Sequence, residues 1–548
     1  MPSRNEDIDL RDLPEGKKPS YTHDEDAFVD PSGLTQEELT FVREFPDDRK
    51  KQLIWKVDVR LVPFLTFLYL VSYIDRANIG NAKIEGLVED LGLTDSQYRI
   101  CLSIFYAPYI LFEIPSNHYL NKMKRPSIYI ASIVVAWGLV MTFCGLVQNF
   151  GGLITIRVLL GMTGTSNILC LWILFRGPSA REIINELTKR TESGFFPGSI
   201  LIISKWYLPN ETQTRIAVFY TASALAGAFS GMLAAGIAQM DGVGGLAGWR
   251  WIFLLEGIFT VLLGGLTYFC LIDSPSLSGK WLDPDEIRYL ELRQRADPSR
   301  QVMSRAKKEG SSSDSRKALF SVLTDWQIWM HGIIYWSNTV PNNALKFTMP
   351  QIVRNMGFES TRAQLLTIPP YCLGAISAFL SSLLADRLKW RMPFIVAPQI
   401  LVIVAFSVIA SKAGDITNNI PACYFGLCLA CLGLYPINPC GNAWNLNNLA
   451  GPAKRTMGIA FMLCIGNIGG IIGGFIYIDS ERPTYPTGFG TSLGFVGAGI
   501  VACFVIEGLY KYINAKRARM TEEEVLERYT LQELEAMGDR SPLYRYTL

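Results

Sequence analysis

The stretch ADRLKWR, Ala385–Arg391, joins two apolar runs, Leu365–Leu384 and Met392–Ser411. A helix rises about 1.5 Å per residue, so about 20 apolar residues cross the hydrocarbon core of a bilayer. In the turn an acid and an arginine stand side by side, and a second arginine follows four residues on. A charged turn between membrane-length helices reads as a hinge gripped by ion pairs. A degraded counterpart, LNKMKRP (Leu120–Pro126), lies between the second and third apolar runs. Lys122 and Arg125 therefore join Asp386, Arg387 and Arg391 as candidate hinge residues. The loop recurs after span two of a first six and span two of a second six. That repetition predicts an all-α membrane protein, twelve transmembrane helices in two six-helix bundles, and it points to a transporter.

Working outward, the spans read as 62–80, 97–119, 126–147, 153–162 continuing at 191–203, 216–238, 251–272, 328–353, 363–384, 392–411, 420–440, 456–478 and 488–511. Only helices or closed barrels satisfy the backbone in lipid, and runs this long are helices. Lysine and arginine gather in one set of loops, among them Arg49–Lys51, Lys122–Arg125, Arg387–Arg391 and Lys511–Arg519. That bias sets those loops and both termini in the cytoplasm. The expected domains are a cytoplasmic tail at 1–50, a first bundle at 51–272, a cytoplasmic linker at 273–325, a second bundle at 326–515 and a tail at 516–548. Asp283-Pro284 with Glu286 starts a linker helix. The capping boxes Thr35–Glu38 and Thr521–Glu524 predict short helices in both tails, lying at the inner face.

Composition limits the function. Of 548 residues, 49% are hydrophobic and only 18% charged, too apolar for a soluble chain of this length. The polar first 50 residues carry no secretory signal, so the first span itself directs insertion. A net charge of +2 argues against nucleic acid as a partner. Cys428 and Cys431 form a CxxC inside an apolar run, where packing is the better reading than metal or redox chemistry. Three histidines cannot assemble a zinc-like cluster. GNIGGIIGG (Gly466–Gly474) follows no strand; its four-residue spacings, like Gly227 with Gly231, let helices approach closely. No phosphate-binding loop, nucleophile motif, cofactor site or metal site is read, so an enzyme is not expected.

Ionisable groups inside membrane runs are costly and usually functional. Here they are Asp75 and Arg76 in span one, Glu113 in span two, Arg157 and Glu192 in span four, Glu256 in span six and Lys346 in span seven. Asp75-Arg76, and Arg250 with Glu256, lie near span ends and read equally well as structural pairs. Arg157 and Glu113 sit deeper, and function is favoured. An arginine attracts an organic anion, and a desolvated carboxyl can carry a proton. Span seven, SNTVPNNALKF (Ser337–Phe347), adds Asn342 and Asn343 around Pro341 and reads as a proline-broken, site-lining helix, as does YPINPCGNAWNLNN (Tyr435–Asn448) in span ten.

These residues bring out a resemblance. YIDRANIGNAK (Tyr73–Lys83), EIPSNHYL (Glu113–Leu120), RVLLG (Arg157–Gly161), ESGFFPG (Glu192–Gly198), GWRWIFLLEG (Gly248–Gly257), the ADRLKWR loop and NLAGPAKR (Asn448–Arg455) resemble the major facilitator superfamily. Within it they are similar to the fungal anion:cation symporters related to allantoate and nicotinate permeases. The resemblance implies the major facilitator fold and uptake of a small organic anion with protons across the plasma membrane, by alternating access. It also implies proton coupling at Arg157 and Gly161, and gating at Asp386, Arg387 and Arg391. Ser382 replaces the usual leading glycine of the gating loop, and Asn121 stands where an aspartate is typical. The protein is expected to act as a monomer in the bilayer. Nicotinate is the leading cargo; a ureide such as allantoate, pantothenate, a drug, or a role as non-transporting sensor remain open.

One departure from the family pattern is large. RVLLGM (Arg157–Met162) is separated from TESGFFPG (Thr191–Gly198) by 28 residues, Thr163–Arg190. Removing them rejoins the family motif without a gap. The segment reads as an intron translated in frame, or else as a lineage-specific insertion that displaces Glu192 from the helix of Arg157.

Overall fold

The computed structural model describes residues 34–111, 125–165, 195–296, 320–388, 390–449, 452–530, 533–534 and 537–548. Among these, every regular element is a helix. The first half of the chain contributes α1 (Gln36–Glu44), α2 (Asp47–Ile84), α3 (Asp95–Ile104), α4 (Pro126–Cys144), α5 (Phe150–Thr165), α6 (Phe195–Trp206), α7 (Pro209–Ile237) and α8 (Gly248–Cys270), followed by the linker helix α9 (Pro284–Ala296). The second half contributes α10 (Trp326–Asn355), α11 (Ile368–Leu388), α12 (Pro393–Lys412), α13 (Ile420–Asn448), α14 (Pro452–Phe475), α15 (Pro486–Arg517) and α16 (Glu522–Arg528).

Eight helices among the described residues are long and apolar enough to cross a membrane, and they coincide with predicted spans one, three, six and eight to twelve. Helix α8 shows why. Its buried face carries Trp249, Phe253, Glu256, Gly257 and Thr260. Its opposite face, Phe259, Leu262, Leu266 and Phe269, is also apolar yet exposed. A helix hydrophobic all round belongs in lipid. Span four appears as α5 and α6, and Glu192 lies outside the described residues, as do Glu113 and Lys122.

Two expectations are corrected. Span seven is not broken: α10 runs from Trp326 to Asn355 through Pro341 and Pro350. Span ten likewise continues through Pro436 and Pro439. Prolines persist in membrane helices where polar side chains supply backbone carbonyls with other donors. The carbonyls that Pro341 and Pro350 free are those four residues earlier, on Ser337 and Lys346; elsewhere in α10, Thr339 Oγ1 donates to Tyr335 O at 3.1 Å and Asn343 Nδ2 to Thr339 O at 2.9 Å. The two helices also pack on one another, with the Asn338 amide donating to Leu434 O.

Glycines set the closest approaches. A Cβ on Gly257 of α8 would lie 2.5 Å from Thr142 N of α4. Along α14, Gly473 faces Val340 O of α10, whereas Gly470 faces the Tyr106 ring beyond α3 at 2.6 Å. One stripe therefore packs a helix against its own half and against the other half. Beyond Gly80, the halves are latched: Lys83 pairs with Asp479 at 2.7 Å, Arg354 donates to Ile84 O at 2.6 Å, and Gln364 donates to Glu85 Oε1 at 2.7 Å.

Both predicted capping boxes are present, at Thr35–Glu38 and Thr521–Glu524. The linker helix lies on the first half through Lys56–Glu286 at 2.6 Å, Arg293–Glu211 at 2.8 Å and a Phe45–Tyr289 stack at 4.2 Å. The C-terminal tail is docked as well. Tyr546 stacks on Tyr510 at 4.5 Å, and Asn448 exchanges hydrogen bonds with both backbone groups of Thr547.

Candidate functional site

A cavity of about 210 Å³ lies between the two halves, walled chiefly by α2 and α10, with α4, α13 and α14. It ends where Gly80 meets Phe347, short of the Lys83–Asp479 latch; a Cβ on Gly80 would be 3.0 Å from Phe347 O. Two cations reach its wall, Arg76 from α2 and Lys346 from α10. Arg76 lies over the rings of Tyr73, Phe105 and Tyr109 at 5.1–5.2 Å. Lys346 lies over Tyr73 at 5.3 Å and Tyr435 at 5.7 Å. The Tyr73 ring thus serves both. Cation–π contact holds a charge in place without neutralising it.

Among the described residues neither cation has a carboxylate partner, and Arg76 Nε is buried without a hydrogen-bond acceptor. Among the described residues that line the cavity there is no aspartate or glutamate; the other polar groups are amides and hydroxyls, including Asn338, Asn342, Asn343, Asn438 and Asn442. Pockets for drug-sized ligands occupy roughly 300–1,000 Å³, so this one suits a smaller molecule. Tyrosine faces, amide dipoles and two cations without a direct carboxylate partner among the described residues can hold a small, flat organic anion.

Asp75 stands behind this wall. Its Oδ2 accepts from Trp137 Nε1 at 2.9 Å and from Thr260 Oγ1 at 3.1 Å, and both donors also line the cavity. Of the residues singled out in the sequence, the structure brings Arg76, Asn342, Asn343 and Lys346 to one cavity and Asp75 to its back. Arg157 is buried on α5 beside Tyr98, Cys101 and Cys144, and it does not line the cavity. Gly161 lets α5 approach the end of α3; a Cβ there would lie 2.6 Å from Pro108 Cγ.

The reading of Arg250 and Glu256 as a pair is corrected. Arg250 pairs with Asp90 at 2.9 Å, while Glu256 is buried and accepts from the Asn78 amide. Residues six apart point to different helix faces. Sequence reasoning missed Tyr73, Tyr435, Trp137 and Thr260. Only Tyr73 carried a local signal, three residues before Arg76 and so on the same face.

Of the gating residues, Arg125 is exposed beside the start of α4 and Arg387 is exposed near the end of α11. The Asp386 side chain lies outside the described residues. Arg391 is largely buried, and its backbone N–H donates to Leu548 O at 3.1 Å. Trp390 donates to Glu507 Oε1 at 3.1 Å. The loop is therefore held by the C-terminal residue and by α15.

The profile of the Major Facilitator Superfamily matches residues 65–174 and 191–511, resuming at Thr191, where the interrupted fourth-span motif resumes. The MFS-type transporter cnsO of Penicillium expansum is 33% identical over 518 residues, 92% of each chain. The high-affinity nicotinic acid transporter of Saccharomyces cerevisiae is 26% identical, covering 91% of this chain and 85% of that one. Among solved structures, the xylose transporter XylE from E. coli, in a partially occluded inward-open conformation, superposes with a TM-score of 0.57 at 11% identity, over 83% of this chain and 98% of that one.

Proposed function

The chain belongs to the Major Facilitator Superfamily and is a multi-pass membrane transporter rather than an enzyme, and from that premise we propose that it carries a small organic anion inward together with a proton. The observation that supports this reading is one cavity that receives both Arg76 and Lys346 and whose lining, among the described residues, includes no carboxylate. A carboxylate cargo supplies the missing negative charge through charge-assisted hydrogen bonds.

Nicotinate fits this chemistry. Its carboxylate addresses the cations, its ring lies against Tyr73 or Tyr435, and an asparagine amide donates to the ring nitrogen. The similarity to the yeast nicotinic acid transporter supports the same cargo. Asp75, buried directly behind the cation wall, belongs to the proton site. Alternating access then consists of breaking the Lys83–Asp479 latch and closing the opposite end. The latched end faces outward and both termini lie in the cytoplasm of a cell bounded by the plasma membrane, in keeping with the bias of lysine and arginine.

The test is uptake of a radiolabelled panel of organic acids at neutral and acid pH, in cells lacking their own permeases. Acid-stimulated accumulation of nicotinate supports the proposal. Accumulation of another acid reassigns the cargo, and none for any acid overturns the function.

A further inference from the structure

Behind the cavity, α2, α7 and α8 meet across a ladder of buried polar side chains. Asp75 occupies one rung, with Trp137 and Thr260 donating to Oδ2. Glu256 occupies the next, accepting from the Asn78 amide. Asn78 Oδ1 accepts from Ser230 Oγ at 3.1 Å, and Ser230 Oγ accepts from Asn81 Nδ2 at 2.7 Å. The two acids are cross-connected. Thr260, one turn beyond Glu256 on α8, reaches Asp75; Asn78, one turn beyond Asp75 on α2, reaches Glu256. Side chains one turn apart are about 5–6 Å from each other, so both acids share one seam.

Asp75 is 1% exposed and Glu256 7%. Each keeps one oxygen, Asp75 Oδ1 and Glu256 Oε1, buried without a hydrogen-bond partner among the described residues. The side chains bonded to them carry no charge: Asn78 on α2, Trp137 on α4 and Thr260 on α8, with Ser230 of α7 and Asn81 of α2 next in the ladder. The nearby cations, Arg76 on α2 and Lys346 on α10, line the cavity instead. Two buried carboxylates without a cation between them repel, and taking up one proton relieves the repulsion.

We propose that Glu256 is a second proton-binding group of this transporter, and that the Asp75–Glu256 pair takes up the transported proton as a unit. The inference rests on the proton-coupled reading above. Uptake forms one O–H bond, on Glu256 Oε1, and breaks none within the protein; the proton comes from water on one side and returns to water on the other. Asp75 keeps the charge, because its Oδ2 already accepts two donors while Glu256 accepts one amide.

Charge balance then couples proton to cargo. With both acids ionised, their two negative charges match Arg76 and Lys346. Protonating Glu256 leaves one positive charge uncompensated, and a monocarboxylate in the cavity restores the balance. Proton and anion each favour binding of the other, as linkage requires. Trp137 and Thr260 join the pair to the cavity, since each touches both Asp75 and the cavity.

The experiment uses the full-length protein reconstituted in lipid, with no cargo, and records infrared difference spectra between neutral and acid pH. The wild type should gain a protonated-carboxyl band. Glu256→Gln should lose that band and Glu256→Asp should recover one. Absence of the band in the wild type, or its persistence in Glu256→Gln, overturns the proposal. The wild-type result stands even if a variant fails to fold, and it needs no cargo, so a wrong cargo does not obscure it. Once an acid is shown to be carried, acid stimulation of its uptake should vanish in Glu256→Gln and return in Glu256→Asp. Acid stimulation retained in Glu256→Gln also overturns the proposal.

Discussion

At the scale of single residues, the cavity is walled by two cations that share an aromatic ring. A hydrogen bond to a charged group is worth about 1.5–3 kcal/mol, so Arg76→Gln or Lys346→Gln should each raise the KM for the carried acid about ten- to hundredfold. Concentration-dependent uptake at fixed pH measures this. Tyr73→Leu removes a contact from both cations at once, worth about 0.5–2 kcal/mol, and should cost less than either charge while altering selectivity between flat and non-flat acids. Arg76 and Lys346 were legible in the sequence because a charge inside an apolar run stands out by itself. Glu256 stood out equally but suggested the wrong partner. Its neighbour along the chain, Arg250, points elsewhere, and its real partner Asn78 lies on another helix.

At the scale of elements, the latch and the tail are built from contacts remote in sequence. Lys83 of α2 reaches Asp479 at 2.7 Å, across a sequence separation of 396 residues. Lys83→Ala should loosen the closed end, and cysteines placed along the cavity-facing stretch of α2 should then react faster with an impermeant thiol reagent applied from outside. The tail forms a second device. Lys454 pairs with Asp325 at 2.5 Å and with tail residue Asp539 at 2.8 Å. Burial would lower the Lys454 pKa, but the hydrogen bonds and charges of Asp325 and Asp539 outweigh it and hold the value above the usual lysine range. A raised lysine pKa stabilises fully below the ordinary value, about 10.4, and is lost as pH rises through the raised one. The tail should therefore stay docked across physiological pH. Removing Tyr544–Leu548 should lower the Tm and free the Arg391 backbone N–H, with faster proteolysis of the Ala385–Arg391 loop as the readout. The capping boxes of the tail helices were readable because a cap is a local pattern of four residues. The docking of Tyr546 on Tyr510 carried no such local sign.

At the scale of the whole molecule, two halves meet at glycine-lined contacts around one cavity, closed at one end. The segment Thr163–Arg190 bears on how the first half is completed. With it removed, Arg157 and Glu192 fall seven positions apart, two helical turns on one face. Cells expressing the chain without those 28 residues should accumulate the carried acid faster than cells expressing the full chain; equal rates would show the segment to be harmless. Sequencing mature transcripts across the same codons decides whether the segment is an intron. The sequence by itself determined eight of the membrane spans, the caps, the family and the candidate cations. These depend on run length, composition and spacing along one helix, all of which are local. Only the tertiary structure decided that Arg76 and Lys346 share Tyr73, that Asp75 and Glu256 form one ladder, that α10 stays continuous through its prolines, and that Leu548 holds the Ala385–Arg391 loop. Those are pairings between helices, set by which faces pack in three dimensions, and the spacing along a single helix does not encode them.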